Sequence, residues 1–447
     1  MNLIKNISIA SILTGSIILS SCDSYLDIQP VGQVIPNTLA EYRALFTTAY
    51  NFEFTDRGLT EFRTDLAIVN NNTTSQNSYG DIEKWNDINP SASTTTFGWS
   101  NYYNAIYYAN AIIDKKDKIT EGSQEEINQL VGEAYLMRGY VHFLLVNLYG
   151  DPYTKAGAPE SKSIPIKWTL DLEEIPSRKT VKEVYAAVLS DIQTARGLMN
   201  QKEWETKYAY RFSTLSVDAM ESRVRLYMGD WENSYNASER VLTQKATLEN
   251  LNDENAKIPN DYSSVEMITA YERIFNNNSS VSTLLRSTFM QKYDAGKDLR
   301  ITKYYGDANE DGNYPPLKTT KGQFNCTFRT GEIYLNAAEA AARLNKLPEA
   351  RKRLLKLMEN RYTPEGYELK KDAVDAMSQE ALIQEVLEER ARELAFEGHR
   401  WFDLRRTTRP KIEKTVKDQT YILGENDARY TLRIPQDAID ANPGLLN

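Results

Sequence analysis

Residues 378–406 constrain the fold of this chain more than any other stretch. Their first part repeats apolar side chains close to a helical period, with Glu and Arg between them, and predicts a long amphipathic helix that begins near Ser378. Gly398 is placed to end or bend that helix, because glycine tolerates the left-handed backbone conformation. A second, short apolar cluster follows at residues 401–404.

Arginines and carboxylates crowd the end of this predicted helix, and such a mixture favours a lattice of ion pairs that ties the helix to its neighbours. A pair of these acids would also suit a glycosidase. Carboxyls beside arginines, however, are expected to have lowered pKa values, whereas a general acid needs a raised pKa. We therefore expect a structural role for these acids. They are Glu388, Glu389, Glu393 and Glu397.

Apolar side chains around the same turn are expected to be buried against other helices. They are Leu394, Phe396, Trp401 and Phe402. His399 lies among them with no second His or Cys nearby in the sequence. A hydrogen-bonded structural role is therefore expected for this histidine, and not a metal-binding or catalytic one.

The first 21 residues have the pattern of a targeting segment. Lys5 provides a short positive region, and residues 7–19 form an apolar run that is too short to span a bilayer. Residues 19–22, Leu-Ser-Ser-Cys, then form a lipobox, in which small residues precede a cysteine that becomes lipidated. The alternative is an ordinary secretory signal with an incidental cysteine. We favour lipid attachment at Cys22, which makes residues 1–21 a lipoprotein signal peptide.

Three stretches of the chain resemble the SusD/RagB family of outer-membrane nutrient-binding lipoproteins. Residues 392–406, RELAFEGHRWFDLRR, are similar to the family's C-terminal signature. Residues 433–443, RIPQDAIDANP, are similar to its closing motif, and residues 22–30, CDSYLDIQP, to the start of its mature members. Because both ends agree in the right order, we take the resemblance to cover the whole chain.

The resemblance implies a single domain over residues 22–447. It implies a lipid-anchored protein of the outer membrane that exposes a carbohydrate-binding surface outside the cell, binds oligosaccharide or glycan, and catalyses no reaction. It also implies a partner, a SusC-like TonB-dependent transporter, over which the protein acts as a lid that delivers oligosaccharide. We expect no cofactor apart from a possible Ca²⁺, which is considered below.

Composition excludes several classes of function. The net charge of −9, without a basic block, argues against nucleic acid as a partner. A charged fraction of 26% and a mean hydropathy of −0.55 exclude a membrane protein with several spans. The chain contains only His142 and His399, which disfavours a His-rich metal site and a Ser-His-Asp triad. Cys326 is expected to be a buried free thiol.

Three capping boxes predict where helices begin. A Ser or Thr followed three residues later by Glu occurs at Thr38, Ser123 and Thr180, each before an apolar run with helical period. A further helix is expected to open at Trp99. We assign the side chain of Trp99, like that of Trp401, to the core.

Pairs of helices are expected at about residues 99–248 and 326–406. The turns at residues 228–232 and 344–350 resemble the turn between the two helices of a tetratricopeptide repeat. Any helical hairpin has a similar turn, but the family that the chain resembles is built on such repeats.

Helical periodicity fails at about residues 55–98 and 251–325, where Asn, Ser, Thr and Pro are frequent. A short strand is expected at residues 430–434. The predicted fold is therefore mostly α, a tetratricopeptide-like helical superstructure with irregular, loop-rich insertions and minor β.

The two irregular segments are also the predicted glycan-binding surface. Sugars have flat apolar faces, on which aromatic rings stack, and a rim of hydroxyls, which amides and acids bind. Loops between helices tend to carry binding residues, so we expect the two segments to meet in one shallow site. The alternative is that these rings are anchors of the core or of loops. The predicted residues are Tyr79, Trp85, Asn86, Tyr304, Tyr305 and Tyr314.

Residues 307–313, DANEDGN, match the first half of an EF-hand calcium loop, since oxygen ligands alternate along them and a glycine follows. The second half of the motif is absent, because Lys318 stands where a bidentate Glu is needed. The alternative is an ordinary turn rich in Asp, Asn and Gly. The possible Ca²⁺ ligands are Asp307, Asn309, Asp311 and Asn313.

Two other functions stay open at this point. The protein could be a helical-repeat lipoprotein that binds a protein or peptide partner, which a continuous concave groove would favour. It could also be a surface glycosidase, which needs two facing carboxylates in a pocket. Exposed aromatic residues spread over loops would favour a glycan.

Overall fold

α-Helices make up most of the described chain, which confirms the predicted fold class. The computed structural model describes residues 36–171, 173–319, 322–416 and 418–446. From Thr38 onward the chain forms one compact unit. The helices are α1 (Leu39–Tyr50), α2 (Asp56–Glu61), α3 (Thr73–Glu83), α4 (Ser100–Lys115), α5 (Gln124–Tyr149), α6 (Val181–Leu198), α7 (Thr214–Met228), α8 (Trp231–Gln244), α9 (Asn277–Ser282), α10 (Ser287–Met290), α11 (Arg300–Tyr304), α12 (Thr330–Arg343), α13 (Leu347–Glu359), α14 (Pro364–Asp375), α15 (Gln379–Glu393), α16 (Arg400–Arg406) and α17 (Gln436–Ala441).

Short strands form three small antiparallel sheets in the described residues, each of two strands. β1 pairs with β3, β2 with β4, and β5 with β6. The strands are β1 (Ala67–Val69), β2 (Met267–Thr269), β3 (Thr283–Leu285), β4 (Phe328–Arg329), β5 (Ile412–Val416) and β6 (Gln419–Leu423).

The predicted capping boxes begin α1, α5 and α6. In each of them the Ser or Thr hydroxyl accepts from the backbone N–H three residues on, and the Glu carboxylate accepts from the backbone of the capping residue. Ser378 caps α15 through its hydroxyl, as expected. These contacts satisfy N–H groups that have no partner inside a helix, so they set where each helix starts.

Two helical pairs have the expected repeat-like geometry. α7 packs on α8, α12 packs on α13, and α12 also packs on α8. The turn inside each pair needs one residue in the left-handed region, which Gly229 (φ 74°) and Asn345 (φ 58°) provide. Small polar groups join the helices, since Ser222 shares a hydrogen bond of 2.8 Å with Ser238 and accepts one of 2.9 Å from Asn336.

Two predictions of local structure were wrong. Residues 55–98 are not irregular throughout, because they contain α2, β1 and α3. The expected strand at residues 430–434 is absent from the described residues, and the hairpin β5–β6 lies earlier in the chain, in a stretch that looked like a loop. Lys414 obscured the strand's alternation, since it points inward and donates to the backbone carbonyls of Phe62 (2.6 Å) and Ala67 (2.8 Å).

The turn after α15 is a buried structural corner. Leu394, Phe396, Trp401 and Phe402 are all buried, as predicted. Gly398 has φ 71°, and a Cβ there would lie 2.6 Å from the Cβ of Arg57, so both conformation and space require glycine. The helix itself stops at Glu393, before that glycine.

The remaining polar residues of this region are also buried. His399 is buried, but its Nδ1 has no hydrogen-bond partner in the described structure, so the expected hydrogen bond from this atom is not found. Burial lowers the pKa of His399, and surrounding arginines lower it further, so this imidazole is neutral. Cys326 is a buried free thiol, as predicted.

Glu393 lies at the centre of a buried ion-pair lattice. Its carboxylate accepts from Arg329 at 2.8 Å, from Arg361 at 2.9 Å through each oxygen, and from Arg300 at 3.2 Å. Arg329 also binds Glu397 at 2.7 Å. All of these side chains are almost completely inaccessible to solvent.

Three of the four acids have lowered pKa values, as expected from the arginines around them. Burial by itself raises the pKa of Glu389, Glu393 and Glu397, but the neighbouring guanidiniums outweigh it and hold all three pKa values below the usual range. Glu388 instead forms a surface pair with Lys292 at 2.7 Å. Acids that are ionised and ion-paired in this way do not suit a glycosidase acid at this corner.

Acid should therefore destabilise the fold. The pKa of Glu393 lies well below its usual 4.5, so its charge contributes stability that is present above the unfolded-state pKa and is lost as pH falls through the folded-state pKa. Glu393→Gln removes the negative charge that three buried guanidiniums share. This loss should cost about 3–5 kcal/mol of unfolding free energy at neutral pH. The unfolding free energy of this variant should also fall less between neutral and acidic pH than that of the native protein. Denaturant titrations at neutral and acidic pH measure both effects.

Glu388→Gln is the matched control, because a half-exposed surface pair contributes at most about 1 kcal/mol. Equal stability of the two variants would contradict the central role of Glu393.

Candidate functional site

Four of the six predicted glycan-binding residues are buried, and the prediction that they form an exposed platform was wrong. Tyr79 is 3% exposed and stacks on Phe62, with ring centroids 5.1 Å apart. Trp85 is 1% exposed, and its indole N–H donates to the carbonyl of Arg63 at 3.0 Å. These two rings therefore anchor the core, which was the alternative to a role in glycan binding.

Two of the three predicted tyrosines of the second segment are also buried. Tyr304 and Tyr305 are buried in a separate small core, where the hydroxyl of Tyr305 is 2.7 Å from that of Tyr293. Tyr314 is half-buried, and its backbone pairs with Leu285. A role for Tyr314 in glycan binding stays a prediction.

The two irregular segments do meet, but through core and backbone contacts. β1 of the first pairs with β3 of the second, with Ala67 opposite Leu285 and Val69 opposite Thr283. Their contact joins buried apolar surfaces and does not form the expected shallow aromatic site.

The proposed calcium loop is an exposed turn held by its own amides. The side-chain oxygen of Asn309 accepts from the backbone N–H groups of Asp311 (3.1 Å) and Asn313 (2.9 Å). The side chain of Asn313 accepts from Ser287. In the described residues no group of three or more His, Cys, Asp or Glu side chains is arranged to hold a metal. Calcium at Asp307, Asn309, Asp311 and Asn313 stays a prediction.

A large open cleft lies elsewhere, with a volume of about 1970 Å³. It is lined by the loop before α4 and by one side of α4 itself. The opposite walls come from the connector at residues 165–178 and from the C-terminal residues 431–446. Of the predicted residues, only Asn86 lines it.

Three aromatic rings at a spacing of four residues face this cleft from α4 and its first cap. We call Trp99, Tyr103 and Tyr107 the α4 ladder. Trp99 and Tyr103 lie with ring centroids 5.2 Å apart, and Tyr107 is 38% exposed. Trp99, which we expected in the core, packs against the core but is only partly buried, and it also lines the cleft.

A buried carboxylate positions the start of the ladder. Asp56 accepts from the backbone N–H of Gly98 and from the hydroxyl of Tyr102, each at 2.6 Å. Tyr149 donates to the carbonyl of the same glycine at 2.6 Å, and its ring lies edge-on to Trp99 at 5.2 Å. Burial raises the pKa of Asp56, although both hydrogen bonds oppose this effect. The backbone beneath Trp99 is thus fixed on both sides.

Polar groups surround the ladder. Asn101 and Asn104 lie exposed on α4, and an amide both donates and accepts hydrogen bonds. Asn86 is held at the rim, where its side-chain amide donates to Asp81 at 3.0 Å and to the carbonyl of Asn89 at 2.9 Å. Aromatic faces beside exposed amides are the two kinds of group that a sugar needs.

The sequence contains the regular spacing of the ladder residues, but this spacing alone does not show that the rings line a cleft. Trp99, Tyr103 and Tyr107 are four residues apart, so a helix places them on one side. Ile106 and Ala109 share that helix and do face the core. The aromatic row lies at the edge of the apolar face, where periodicity does not separate a half-buried position from a buried one.

A second, smaller cavity of about 460 Å³ lies between the helical repeats. Its walls carry Arg196 and Arg240, which both bind Asp218 at 2.8 Å and also pair with Glu221. These four charged side chains pair with one another across the walls of the cavity.

No helix in the part of the chain that the structure describes is long and apolar enough to cross a membrane. The signal segment and Cys22 lie outside the described residues.

Comparison with known families identifies the class of the protein. Residues 176–447 match the SusD family, and residues 25–226 match a SusD-like family described as starch-binding and associating with the outer membrane. The SusD match alone covers more than half of the chain, so the chain belongs to the SusD family.

Individual relatives are similar over nearly their whole length. SusD-like protein P38 of Formosa agariphila is 24% identical, and the alignment covers 92% of this chain and 93% of that protein. A SusD superfamily protein from Bacteroides fragilis has a TM-score of 0.75 at 20% identity, covering 92% of this chain and 99% of the other. A SusD-like carbohydrate binding protein from Bacteroides vulgatus has a TM-score of 0.71 at 20% identity, covering 92% and 97%. These structures share the fold of this chain.

Removing the buried carboxylate should loosen the floor of the cleft. Asp56→Ala leaves the N–H of Gly98 and the hydroxyl of Tyr102 without their acceptor, and should cost about 1–3 kcal/mol of unfolding free energy. Denaturant titration measures this cost. Asp437→Ala, at an exposed position on the opposite wall, is the control and should change stability by less than about 0.5 kcal/mol. A cost at Asp56 no larger than that of the control would contradict the assignment.

Proposed function

We propose that this protein is a glycan-binding lipoprotein of the cell surface, which captures oligosaccharide in the cleft beside α4 and delivers it to a SusC-like TonB-dependent transporter. The observation that carries the proposal is the α4 ladder, a row of aromatic rings along one side of a large open cleft, of which Trp99 and Tyr103 are partly buried and Tyr107 is exposed. Such a row offers stacking faces to successive sugar units, while the neighbouring amides bind hydroxyls.

The relatives support a sugar as the ligand. One structural neighbour is described as a carbohydrate binding protein and another as a putative sugar binding protein, and the family that matches residues 25–226 is described as starch-binding. Stacking on a few rings in an open cleft contributes modestly, so we expect dissociation constants on the order of micromolar to millimolar.

We propose that binding occurs without catalysis. The clustered acids of the C-terminal signature are buried in ion pairs and away from the cleft. Of the acids that line the cleft, Asp56 and Asp87 are held by hydrogen bonds from Tyr102 and Arg63, and Glu53 and Glu174 are ion-paired. Asp171 and Asp437 are exposed. A hydrolase needs two carboxyls that face each other across the substrate.

The sequence and the family description support the proposed anchoring at the outer membrane. We propose that Cys22 carries acyl chains that hold the protein at the outer membrane, since the lipobox precedes it and the matched family is described as associating with that membrane. A tethered binding protein with an open cleft suits transfer of a weakly bound ligand to a membrane transporter.

Loss of either outer ring of the ladder should weaken glycan binding. Trp99→Ala and Tyr107→Ala each remove one stacking face and should raise the dissociation constant about tenfold, which is about 1.4 kcal/mol. A glycan array followed by isothermal titration calorimetry on the purified protein measures this, with melting temperatures to show that the variants are folded.

Tyr262→Ala is the matched control, because this tyrosine is 42% exposed and does not line the cleft. Tyr314→Ala tests the site predicted from sequence. Weakened binding in the Tyr314 variant together with unchanged binding in both ladder variants would place the site on the other segment.

Substitution of the lipobox cysteine should release the protein from the membrane. Cys22→Ala removes the acyl acceptor, and stable anchoring needs two lipid signals, so the variant should lose both fatty-acid label and membrane retention. Metabolic labelling and fractionation measure this. Cys326→Ala is the control and should keep its label, because that thiol is buried. Equal labelling of the Cys22 variant and the native protein would disprove the anchor.

A further inference from the structure

We infer that the loop between α6 and α7, residues 199–213, carries a second ligand site, in which the guanidinium of Arg211 binds the carboxylate of an acidic sugar. None of these residues lines the cleft. The site therefore goes beyond the proposed function and is separate from the α4 ladder.

Three aromatic rings hold the guanidinium of Arg211. Its central carbon lies 4.2 Å from the ring centroid of Tyr208, 5.2 Å from that of Trp204 and 5.6 Å from that of Tyr210. Such cation–π contacts are favourable and restrict the rotation of the side chain. A guanidinium fork that is already oriented loses little freedom when a ligand pairs with it.

Most of the donor groups of Arg211 are open. Its Nε donates to the hydroxyl of Tyr210 at 3.3 Å, and neither terminal nitrogen has a hydrogen-bond or ion-pair partner in the described residues. Elsewhere in the described chain only Arg433 is similar, since every other arginine binds a carboxylate, a side-chain amide oxygen or a backbone carbonyl. Arg433 is exposed, whereas Arg211 is half-buried. A partly desolvated guanidinium gains more from an anionic acceptor, and its planar fork matches a carboxylate with two parallel hydrogen bonds.

The charges of the loop favour an anion. Both acids of the loop are ion-paired with lysines, Glu203 at 3.3 Å and Glu205 at 3.1 Å. Lys202 and Arg211 have no acidic partner in the described residues. Helix α5, which packs against the loop, brings Glu133, but this acid is paired at 2.8 Å with an arginine of α1. Counted alike, the loop has two unpaired positive charges and no unpaired negative one, so an anionic ligand meets charge of the opposite sign.

Contacts within the protein fix the shape of the loop. The side-chain oxygen of Gln129 in α5 accepts from the backbone N–H groups of residues 200 and 201, each at 2.9 Å. The indole N–H of Trp204 donates to the carbonyl of Phe212 at 2.9 Å, which ties the two ends of the loop together. Ala209 accepts from the backbone N–H of Ala270 at 2.8 Å. The rings and the fork are therefore in place before a ligand binds.

An acidic sugar suits this combination of groups. A uronic acid unit carries a flat face of C–H groups and a carboxylate on one ring. Trp204, Tyr208 and Tyr210 are half-buried, so part of each side chain lies at the surface near the guanidinium. Aromatic rings bind the apolar face of the sugar, and the fork binds its carboxylate. An acidic peptide offers the carboxylate without the flat apolar face, so we favour a sugar.

The experiment compares uronic-acid oligosaccharides with the same oligosaccharides after each carboxylate has been reduced to a primary alcohol. Calorimetry on the purified full-length protein in detergent measures both series at low and high salt. We expect acidic oligosaccharides that bind about tenfold more tightly than their reduced counterparts, with a preference that shrinks at high salt. Equal affinity for the two forms throughout the panel would overturn the inference. Tighter binding of a peptide with the same number of carboxylates would overturn the assignment to a sugar.

Substitutions at Arg211 test the cause of the preference. Arg211→Gln removes the charge and the fork, so it should abolish the preference for the acidic form. Arg211→Lys keeps the charge without the fork and should retain a preference of about threefold. Lys352→Gln, at an exposed position on α13, is the control for net charge and should keep the full preference. Melting temperatures show whether each variant is folded. A preference that both Arg211 variants retain in full would contradict the site.

Two further variants separate this site from the cleft. Arg433→Gln removes the unpartnered arginine of the cleft, and a preference lost in this variant but kept in Arg211→Gln would place the anion site in the cleft. Trp99→Ala should weaken the reduced oligosaccharides without abolishing the preference for the acidic forms. Reduced oligosaccharides that bind through the ladder, without any preference for acid, would overturn this inference and leave the proposed function standing. A preference that depends on Arg211, with no binding that depends on the ladder, would do the reverse.

Discussion

The buried carboxylate of Glu393 and its three guanidinium partners are the constraint on which the rest of the structure depends. A charge in the interior is costly unless it is paired with good geometry, so α15 is stable only where these arginines converge. Arg300 comes from the second irregular segment, Arg329 from the start of α12, and Arg361 from the residues after α13. One carboxylate thus fixes a loop-rich insertion against two repeat helices.

Helix α2 connects this corner with the cleft. Arg57 donates to the carbonyls of Glu397 and Gly398, each at 3.0 Å, and pairs with Glu272 at 2.6 Å. The preceding residue, Asp56, holds the backbone under Trp99. Two adjacent side chains, Asp56 and Arg57, therefore join the C-terminal signature to the floor of the cleft and hold a short helix of a loop-rich segment from both sides.

The cleft combines one regular wall with several irregular ones. The α4 ladder sits on a helix of the repeat scaffold, so its spacing is set by helix geometry, whereas the facing connector and C-terminal residues are loops and short helices. In such an arrangement the scaffold keeps the stacking rings in place while the facing walls provide charge and shape. Changes in those walls alter the shape and charge of the cleft without altering the helix that carries the rings.

The sequence by itself determined where several helices begin, where the turns of the helical pairs lie and which side chains of the C-terminal signature are buried. Helix caps, turn residues and apolar periodicity depend on residues that are close in the chain, so they can be recognised without the tertiary structure. Only the tertiary structure decided which aromatic rings are exposed. Tyr79 and Tyr107 have the same apolar ring and polar tip, yet one is packed on Phe62 and the other faces the cleft. Lys414 likewise looks like a surface residue until distant carbonyls satisfy it. Burial is set by partners far apart in the chain, and those partners cannot be identified from spacing or composition.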